Sequence, residues 1–357
     1  MLHTLFNRLR KSFRLEGRPV VMAYRGYGNA RRVFFKGHVL DDRLLYEAEK
    51  GDRKRKNLLA MLSRYMSKGI PGQRVKITFA GEVFDTQSDE TGYFEEEVEW
   101  EEPLSQNGWL PARYELLDGL PSGEEVPVSN SSVYIQEKDS EFGIISDVDD
   151  TILISHASKT LRKLRLILTK NAKTRLPFTG VASFYHALQS GIDKDCCNPI
   201  FYVSSSEWNL YDFLVDFCEV RNIPKGPFLL QKYKANLWEV LWSGGGSHTH
   251  KLEKIRHLLN TYPALNFILI GDSGQKDAAL YAEIAREFPG RILSIYIRDV
   301  SGPGRTEVHL QQLAGDLKKE GLDMLLVKDT AGAALHACEK GFITLEEYEK
   351  VRREVGC

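Results

Sequence analysis

Cysteine is scarce in this chain. The five cysteines, Cys196, Cys197, Cys218, Cys338 and Cys357, are odd in number, and their spacing fits no zinc pattern. Reduced thiols in a cytosolic protein are therefore the expectation. Long apolar runs are missing too, since none approaches the ~20 residues that span a bilayer. The opening stretch, MLHTLFNRLRKSFRL, is basic but has neither an apolar core nor a small-residue cleavage site. No secretory signal is expected from it. Net charge is almost absent: 48 Lys and Arg against 49 Asp and Glu leave a formal charge of -1. No global field commits the chain to nucleic acid, and no nucleic-acid partner is expected. Internal repeats and long low-complexity tracts are absent as well.

What is present is an ordinary globular composition, with 42% hydrophobic and 27% charged residues over 357 positions. Such a length predicts two domains. Residues 1–16 read as a short basic amphipathic segment carrying Arg8, Arg10, Lys11 and Arg14. From residue 17 to 138 the texture is β, in VVMAYRGYG, RRVFFKGHVL, RVKITFAGEVFDT, GYFEEEVEW and SSVYIQE. These runs alternate or are β-branched and aromatic, with Gly and Asp turns between them, and predict a β-sandwich-like domain. A charged helical insertion near 45–68 interrupts it, with Leu58, Leu59, Leu62 and Tyr65 as its packing residues. Residues 139–357 alternate strand and helix patterns. FGIIS, PIFYVS, FILIGD and ILSIYIRD read as strands, with helical segments between them and a helical tail after Arg305. That alternation predicts an α/β fold, a parallel sheet with helices on both faces.

The most informative segment is FGIISDVDDTI, residues 142–152. An apolar run ends in Asp147, and Asp-x-Asp-x-Thr follows at Asp147, Asp149 and Thr151. Such a run reads as a buried parallel strand delivering acids to the carboxyl edge of a sheet, where open α/β sheets bind ligands. Three Asp in four residues repel one another unless a hard cation or a phosphoryl group organises them. Alone, an Asp-rich strand end is also a turn or a helix cap.

Three further elements follow in order. The strand PIFYVS ends at Ser204, whose hydroxyl can bond a phosphate oxygen or simply cap the next helix. Lys251 opens the helix HKLEKIRHLL, where a cation opposes the helix dipole but can neutralise a phosphoryl group. Lys254 competes for that role, and a solvated lysine is the ordinary alternative. FILIGDSGQKD ends a third strand in Gly271 and Asp272, with Asp277 five residues on. Gly271 permits close backbone approach. Asp272 is placed to complete a magnesium site with Asp147, and Asp277 to support a ligand or cap a helix.

Together these elements resemble the haloacid dehalogenase superfamily of phosphohydrolases. DVDDTI, YVSSSEWNLYDFL, HKLEKI, GDSGQKD and IYIRDV are similar to the lipin-like catalytic domain of the actin-patch phosphatidate phosphatase family. Residues 140–300 carry the likeness, and YRGYGN with its flanking strands is similar to the amino-terminal part of bacterial members. The resemblance implies a doubly wound, haloacid dehalogenase-like Rossmannoid sheet. It also implies phosphatidate hydrolysis to diacylglycerol and phosphate through an aspartyl-phosphate. Asp147 would be the nucleophile and Asp149 the acid and base. Mg2+ would sit on Asp147, Asp272 and the backbone carbonyl of Asp149, with Thr151, Ser204 and Lys251 binding the transferring oxygens.

Two other readings stand beside it: a phosphatase of soluble phosphomonoesters, and a catalytically vestigial phosphatidate-binding module. The segment SKTLRKLRLILTKNAKTRLPF is cationic and amphipathic. It can lie on an anionic membrane surface or pack its leucines on the sheet. The expected location is the cytoplasm, peripheral at the membrane if that surface is used. His248 and His250 follow the Gly244 to Gly246 run but lack a third nitrogen or sulfur ligand for zinc.

Overall fold

The structure, a computed structural model, describes residues 18–41, 69–118, 125–148, 179–193, 197–232, 248–273, 277–299 and 305–356. The basic amino-terminal segment, the helical insertion near 45–68, the cationic segment over 158–178, and Asp149 and Thr151 lie outside the described residues. The chain divides into two compact units, Met1–Ile135 and Gln136–Cys357.

Unit 1 carries strands β1 (Pro19–Ala23), β2 (Gly26–Gly28), β3 (Arg32–Asp41), β4 (Arg74–Phe79), β5 (Glu82–Gln87), β6 (Tyr93–Glu99), β7 (Gly108–Leu116) and β8 (Val128–Ile135). They form an eight-stranded sheet in the order β1-β3-β2-β8-β7-β4-β5, with β6 paired to β3. The sheet is mixed, because β2 and β8 run parallel while the other pairs are antiparallel. Period-two patterning places one face inside. On β4, Val75, Ile77 and Phe79 are buried and join Val33, Phe35, Val39, Tyr114 and Val133 in one core. β7 is not among the strands expected from sequence, since it contains Pro111. That residue pairs with Ser132 of β8 and lies one step beyond the β4 register, which ends at Ala112. Proline is tolerated where a neighbouring strand is absent on one side.

Unit 2 contains a six-stranded, wholly parallel sheet. Its strands are β9 (Gly143–Asp147), β10 (Ile200–Glu207), β11 (Phe228–Gln231), β12 (Phe267–Asp272), β13 (Ile292–Arg298) and β14 (Met324–Val327), in the order β11-β10-β9-β12-β13-β14. The four strands expected from sequence are β9, β10, β12 and β13. Two short strands, β11 and β14, extend the sheet at its edges. The helices are α1 (Val181–Ser190), α2 (Tyr211–Val220), α3 (His248–Thr261), α4 (Asp277–Glu287), α5 (Arg305–Lys319), α6 (Thr330–Glu339) and α7 (Leu345–Val355). The carboxyl-terminal region is thus helical, as expected, but interrupted by β14.

Every residue of β9 and β12 is buried, so both sheet faces are covered there. Helices α1, α6 and α7 pack on one another, as α4 does on α3 and on α5. The chain leaves β9 toward β10 and β11, then returns to β12 on the other side. The reversal between β9 and β12 opens a crevice at the carboxyl ends of the strands. Asn198, fully buried, fixes the entry to β9. Its Oδ1 accepts from the Glu141 and Phe142 amides, and its Nδ2 donates to the Leu188 carbonyl of α1.

Candidate active site

The crevice collects carboxylates from three places. Asp147 ends β9, Asp272 ends β12, and Asp277 opens α4, and all three are 0% exposed. One oxygen from each lies within 4.8 Å of the others. Burying even one such group costs several kcal/mol unless it is compensated. Lys251, in the first turn of α3 and 4% exposed, supplies part of the compensation. Its Nζ lies 2.9 Å from Asp147 Oδ1 and 2.5 Å from Asp277 Oδ1. A lysine at a helix start opposes the dipole, and here the two carboxylates offset that cost. Burial works against the Lys251 charge, but Asp147 and Asp277 overcome it and hold the ammonium well above the ordinary lysine range.

Asp277 has both oxygens engaged. Oδ1 accepts from Lys251, and Oδ2 accepts from the Asp272 amide at 3.4 Å. This is a positioning arrangement, tying the start of α4 to the end of β12 and to the lysine. Burial pushes the Asp277 carboxyl up, and Lys251 only partly opposes it. Asp147 adds to the rise. Counted formally, three carboxylates around one ammonium leave a surplus of two negative charges. An all-oxygen, doubly negative, buried cluster fits a hard divalent cation such as Mg2+.

Gly271 is required here for a more local reason than approach to a ligand. A Cβ on it would sit 2.7 Å from Asp277 Oδ2 and 2.8 Å from Tyr281 Cε2. Tyr281, one helical turn after Asp277, is buried, donates to the Ile270 carbonyl at 3.1 Å and places its ring 6.0 Å from the Lys251 Nζ. Sequence reasoning misses it, because a tyrosine at helical spacing reads as core. Arg298, opposite Asp272 in the β12–β13 register, lies in the IYIRDV motif, but the sequence reading gives it no role. Burial lowers its guanidinium to about 10, while Tyr185, Asp329 and Asp272 pull it up.

Ser204 is fully buried on β10, one residue past Val203, the register partner of Asp147. Its Oγ accepts from the Ser206 amide at 2.8 Å, and β10 runs on to Glu207, so Ser204 does not end the strand. Lys254, the competing lysine, donates to the Ser204 carbonyl at 2.9 Å. The structure thus brings Asp147, Lys251, Gly271, Asp272 and Asp277 to one sheet edge, with Ser204 on the adjoining strand.

The family described as phosphatidate phosphatase APP1, catalytic domain, matches residues 142–299. The Saccharomyces cerevisiae protein named Phosphatidate phosphatase APP1 is 27% identical over 262 residues, 70% of this chain and 43% of its own length. An uncharacterized Schizosaccharomyces pombe protein is 26% identical over 209 residues, 57% of this chain and 31% of its own. The chain therefore spans less than half the length of these curated relatives. Among solved structures, a carbohydrate acetylesterase from Xanthomonas citri aligns over 92% of this chain and 70% of its own. Its identity is 8% and its TM-score 0.35, too low to bear on fold or chemistry. Residues 142–299, which hold Asp147, Lys251, Asp272 and Asp277, are thus similar to the phosphatidate phosphatase APP1 catalytic-domain family.

Proposed function

We propose that this chain is a Mg2+-dependent phosphoric monoester hydrolase whose substrate is phosphatidate, cleaved to diacylglycerol and phosphate. One observation carries the reading: buried Lys251 is shared between Asp147 and Asp277, beside Asp272, at the carboxyl edge of a parallel sheet. The family match and the name of the yeast relative support the substrate. The same reading takes unit 2 as a doubly wound, haloacid dehalogenase-like domain over residues 139–357. It takes residues 17–138 as a β-sandwich that presents this domain to a membrane or protein.

In this mechanism an Asp147 oxygen attacks phosphorus, and the bond from phosphorus to the leaving alkoxide breaks as the aspartyl-phosphate forms. Asp149 gives its proton to that alkoxide, then takes one from the water that hydrolyses the intermediate. Lys251 steadies Asp147 before attack and neutralises the transferring oxygens, with Thr151 and Ser204 as further donors. Asp277 keeps Lys251 in place. Asp147, Asp272 and the Asp149 carbonyl would hold Mg2+, which would supply charge that offsets repulsion between a carboxylate and a phosphate dianion. The cationic segment around Lys159 to Arg175 brings an anionic lipid surface to the crevice, from the cytoplasmic side.

The deciding experiment is phosphate release from phosphatidate in mixed micelles, with Mg2+ and with chelator, beside Asp147→Asn and a soluble aryl phosphate. Metal-dependent release that is lost in Asp147→Asn and greater on lipid is the expected result. Release from the aryl phosphate alone moves the substrate to soluble phosphomonoesters. No release from either removes the catalytic reading.

A further inference from the structure

Behind the carboxylates lies a pair of buried hydroxyls that the mechanism above does not use. Ser146 precedes Asp147 on β9, so its side chain points to the opposite face of the sheet. Its Oγ is 2.8 Å from the Asp147 carbonyl oxygen and 2.7 Å from the Tyr185 hydroxyl on α1. Both Ser146 and Tyr185 are 0% exposed. Counting hydrogens fixes the direction of the chain. A hydroxyl has one hydrogen and a carbonyl has none. Ser146 must donate to the Asp147 carbonyl, and it must therefore accept from Tyr185. Burial pushes the Tyr185 phenol upward, with Asp147 adding to the effect, so the phenol keeps its proton and the direction does not reverse.

The consequence falls on the peptide that joins Asp147 to Val148. That peptide is planar and trans, so its N–H points opposite to its C=O. Holding the carbonyl toward Ser146 turns the Val148 N–H away from α1. Successive hydrogen bonds also polarise one another, which makes that N–H a better donor. We infer that Tyr185 and Ser146 are positioning residues for phosphoryl transfer, a buried relay that orients and polarises the Asp147–Val148 peptide so that the Val148 N–H meets a transferring phosphoryl oxygen. The inference rests on the reading of Asp147 as the phosphoryl acceptor. It assigns the α1 face of the sheet a share in catalysis that no residue of α1 reaches directly.

The test uses the full chain and the variants Ser146→Ala, Ser146→Thr and Tyr185→Phe, each checked for folding by its melting curve. Ser146→Ala should lower kcat for phosphate release about tenfold or more, as loss of a group that orients a reacting one does. KM should stay within about twofold, because the interaction is realised in the transition state rather than on binding. Tyr185→Phe should cost less, and Ser146→Thr, which keeps the hydroxyl, should recover most of the loss. Calorimetric titration with orthovanadate in Mg2+ reads the same donor without turnover and should show weakened binding in Ser146→Ala. Wild-type kcat and vanadate affinity in Ser146→Ala overturn the inference, as does a folded Ser146→Thr that recovers nothing. If the wild-type chain releases no phosphate from any ester, the catalytic reading fails on its own. Vanadate then decides the relay: equal binding in wild type and Ser146→Ala, or none in either, overturns it.

Discussion

A half-buried lysine in unit 1 meets one carboxylate, whereas a buried lysine in unit 2 meets two and lies beside a third. Lys36 on β3 pairs across the sheet with Glu95 of β6 at 2.6 Å and places its Nζ 5.5 Å from the centre of the Tyr27 ring. The pair sums to zero, and the Glu95 side chain is 43% exposed, so water reaches the negative member. Two residues along, His38 is buried, stacked on Tyr93 at 3.9 Å, with Nε2 3.1 Å from the Thr91 carbonyl. The carbonyl can only accept, so that nitrogen carries a proton. Burial pushes the ring down to about 4, which keeps it neutral near pH 7. At both of these places unit 1 leaves no net charge behind. Lys251 leaves a formal surplus of two negative charges among Asp147, Asp272 and Asp277 in a buried crevice, where burial pushes the Asp277 carboxyl up to about 7. A balanced account marks a pair that holds structure, and an unbalanced one marks a place where a ligand finishes the count.

The strongest way to break this comparison is Lys251→Met. The variant leaves the surrounding carboxylates buried without their ammonium, and removing one member of a buried pair costs ~3–5 kcal/mol. Denaturant unfolding in chelator should show that loss, and added Mg2+ should restore part of it. Phosphate release should fall about 10²-fold or more, the usual cost of removing a donor that stabilises transition-state charge. A Lys251→Met protein as stable as wild type in chelator would mean that the crevice tolerates its surplus charge unaided.

The next effect belongs to unit 1 and depends on pH. Burial pushes His38 down to about 4 from its ordinary 6.5, against the Thr91 carbonyl and Asp89. The unfolded chain therefore binds a proton at pH values where the folded chain does not. The stability this confers is complete above pH 6.5 and drains away as pH falls toward 4. A difference of that size is worth about 3 kcal/mol. Hydrogen exchange of the β3 amides reads unit 1 by itself, and protection should fall over that window. In His38→Gln the slope should largely vanish. An unchanged slope would assign it to carboxylates instead.

Much of unit 2 is legible in the sequence, for a physical reason. β9, β10, β12 and β13 are apolar runs closed by polar residues, and burial on both faces demands that pattern. Asp147, Lys251, Asp272 and Asp277 are legible because each stands at a strand end or helix start, where parallel topology gathers side chains. β11 and β14, four residues each, carry too few apolar positions to stand out. β7 is hidden by Pro111, which is acceptable only because β4 stops short of it. Tyr281, Ser146 and Tyr185 are not legible at all. A buried hydroxyl announces itself only through its partner, and those partners lie on other turns or other elements. The sequence pattern places Ser204 at a strand end, but it lies inside β10. The two-residue spacing from Asp147 to Asp149 carries the chemical reading, while Asp149 and Thr151 fall outside the described residues.

Gly271→Ala tests how tightly the crevice is built. The added methyl would approach Asp277 Oδ2 and Tyr281 Cε2 to under 3 Å, and neither group has room to withdraw without moving Lys251 or the Ile270 contact. Overpacking of this kind costs ~1–3 kcal/mol. Melting should drop accordingly. Phosphate release should fall further than stability alone explains, because Asp277 is displaced together with the lysine it holds. A variant with lowered melting but full kcat would show that Asp277 position is not coupled to the reacting end of Asp147.

Lys36→Met should give the smallest effect. Methionine keeps most of the apolar stem, which is what lies under the buried part of Lys36. What goes is an ion pair with a half-exposed partner, worth ~0–1 kcal/mol, together with a contact to the Tyr27 ring of similar size. Glu95 can turn its carboxylate to water, so no charge is stranded. Unfolding should shift by about 1 kcal/mol or less, and phosphate release should be unchanged. If this variant were as damaging as Lys251→Met, burial alone would set the cost of losing a lysine. If it is nearly silent, the difference belongs to the charge left behind, and the Lys251 crevice is set apart by the surplus it keeps for a cation.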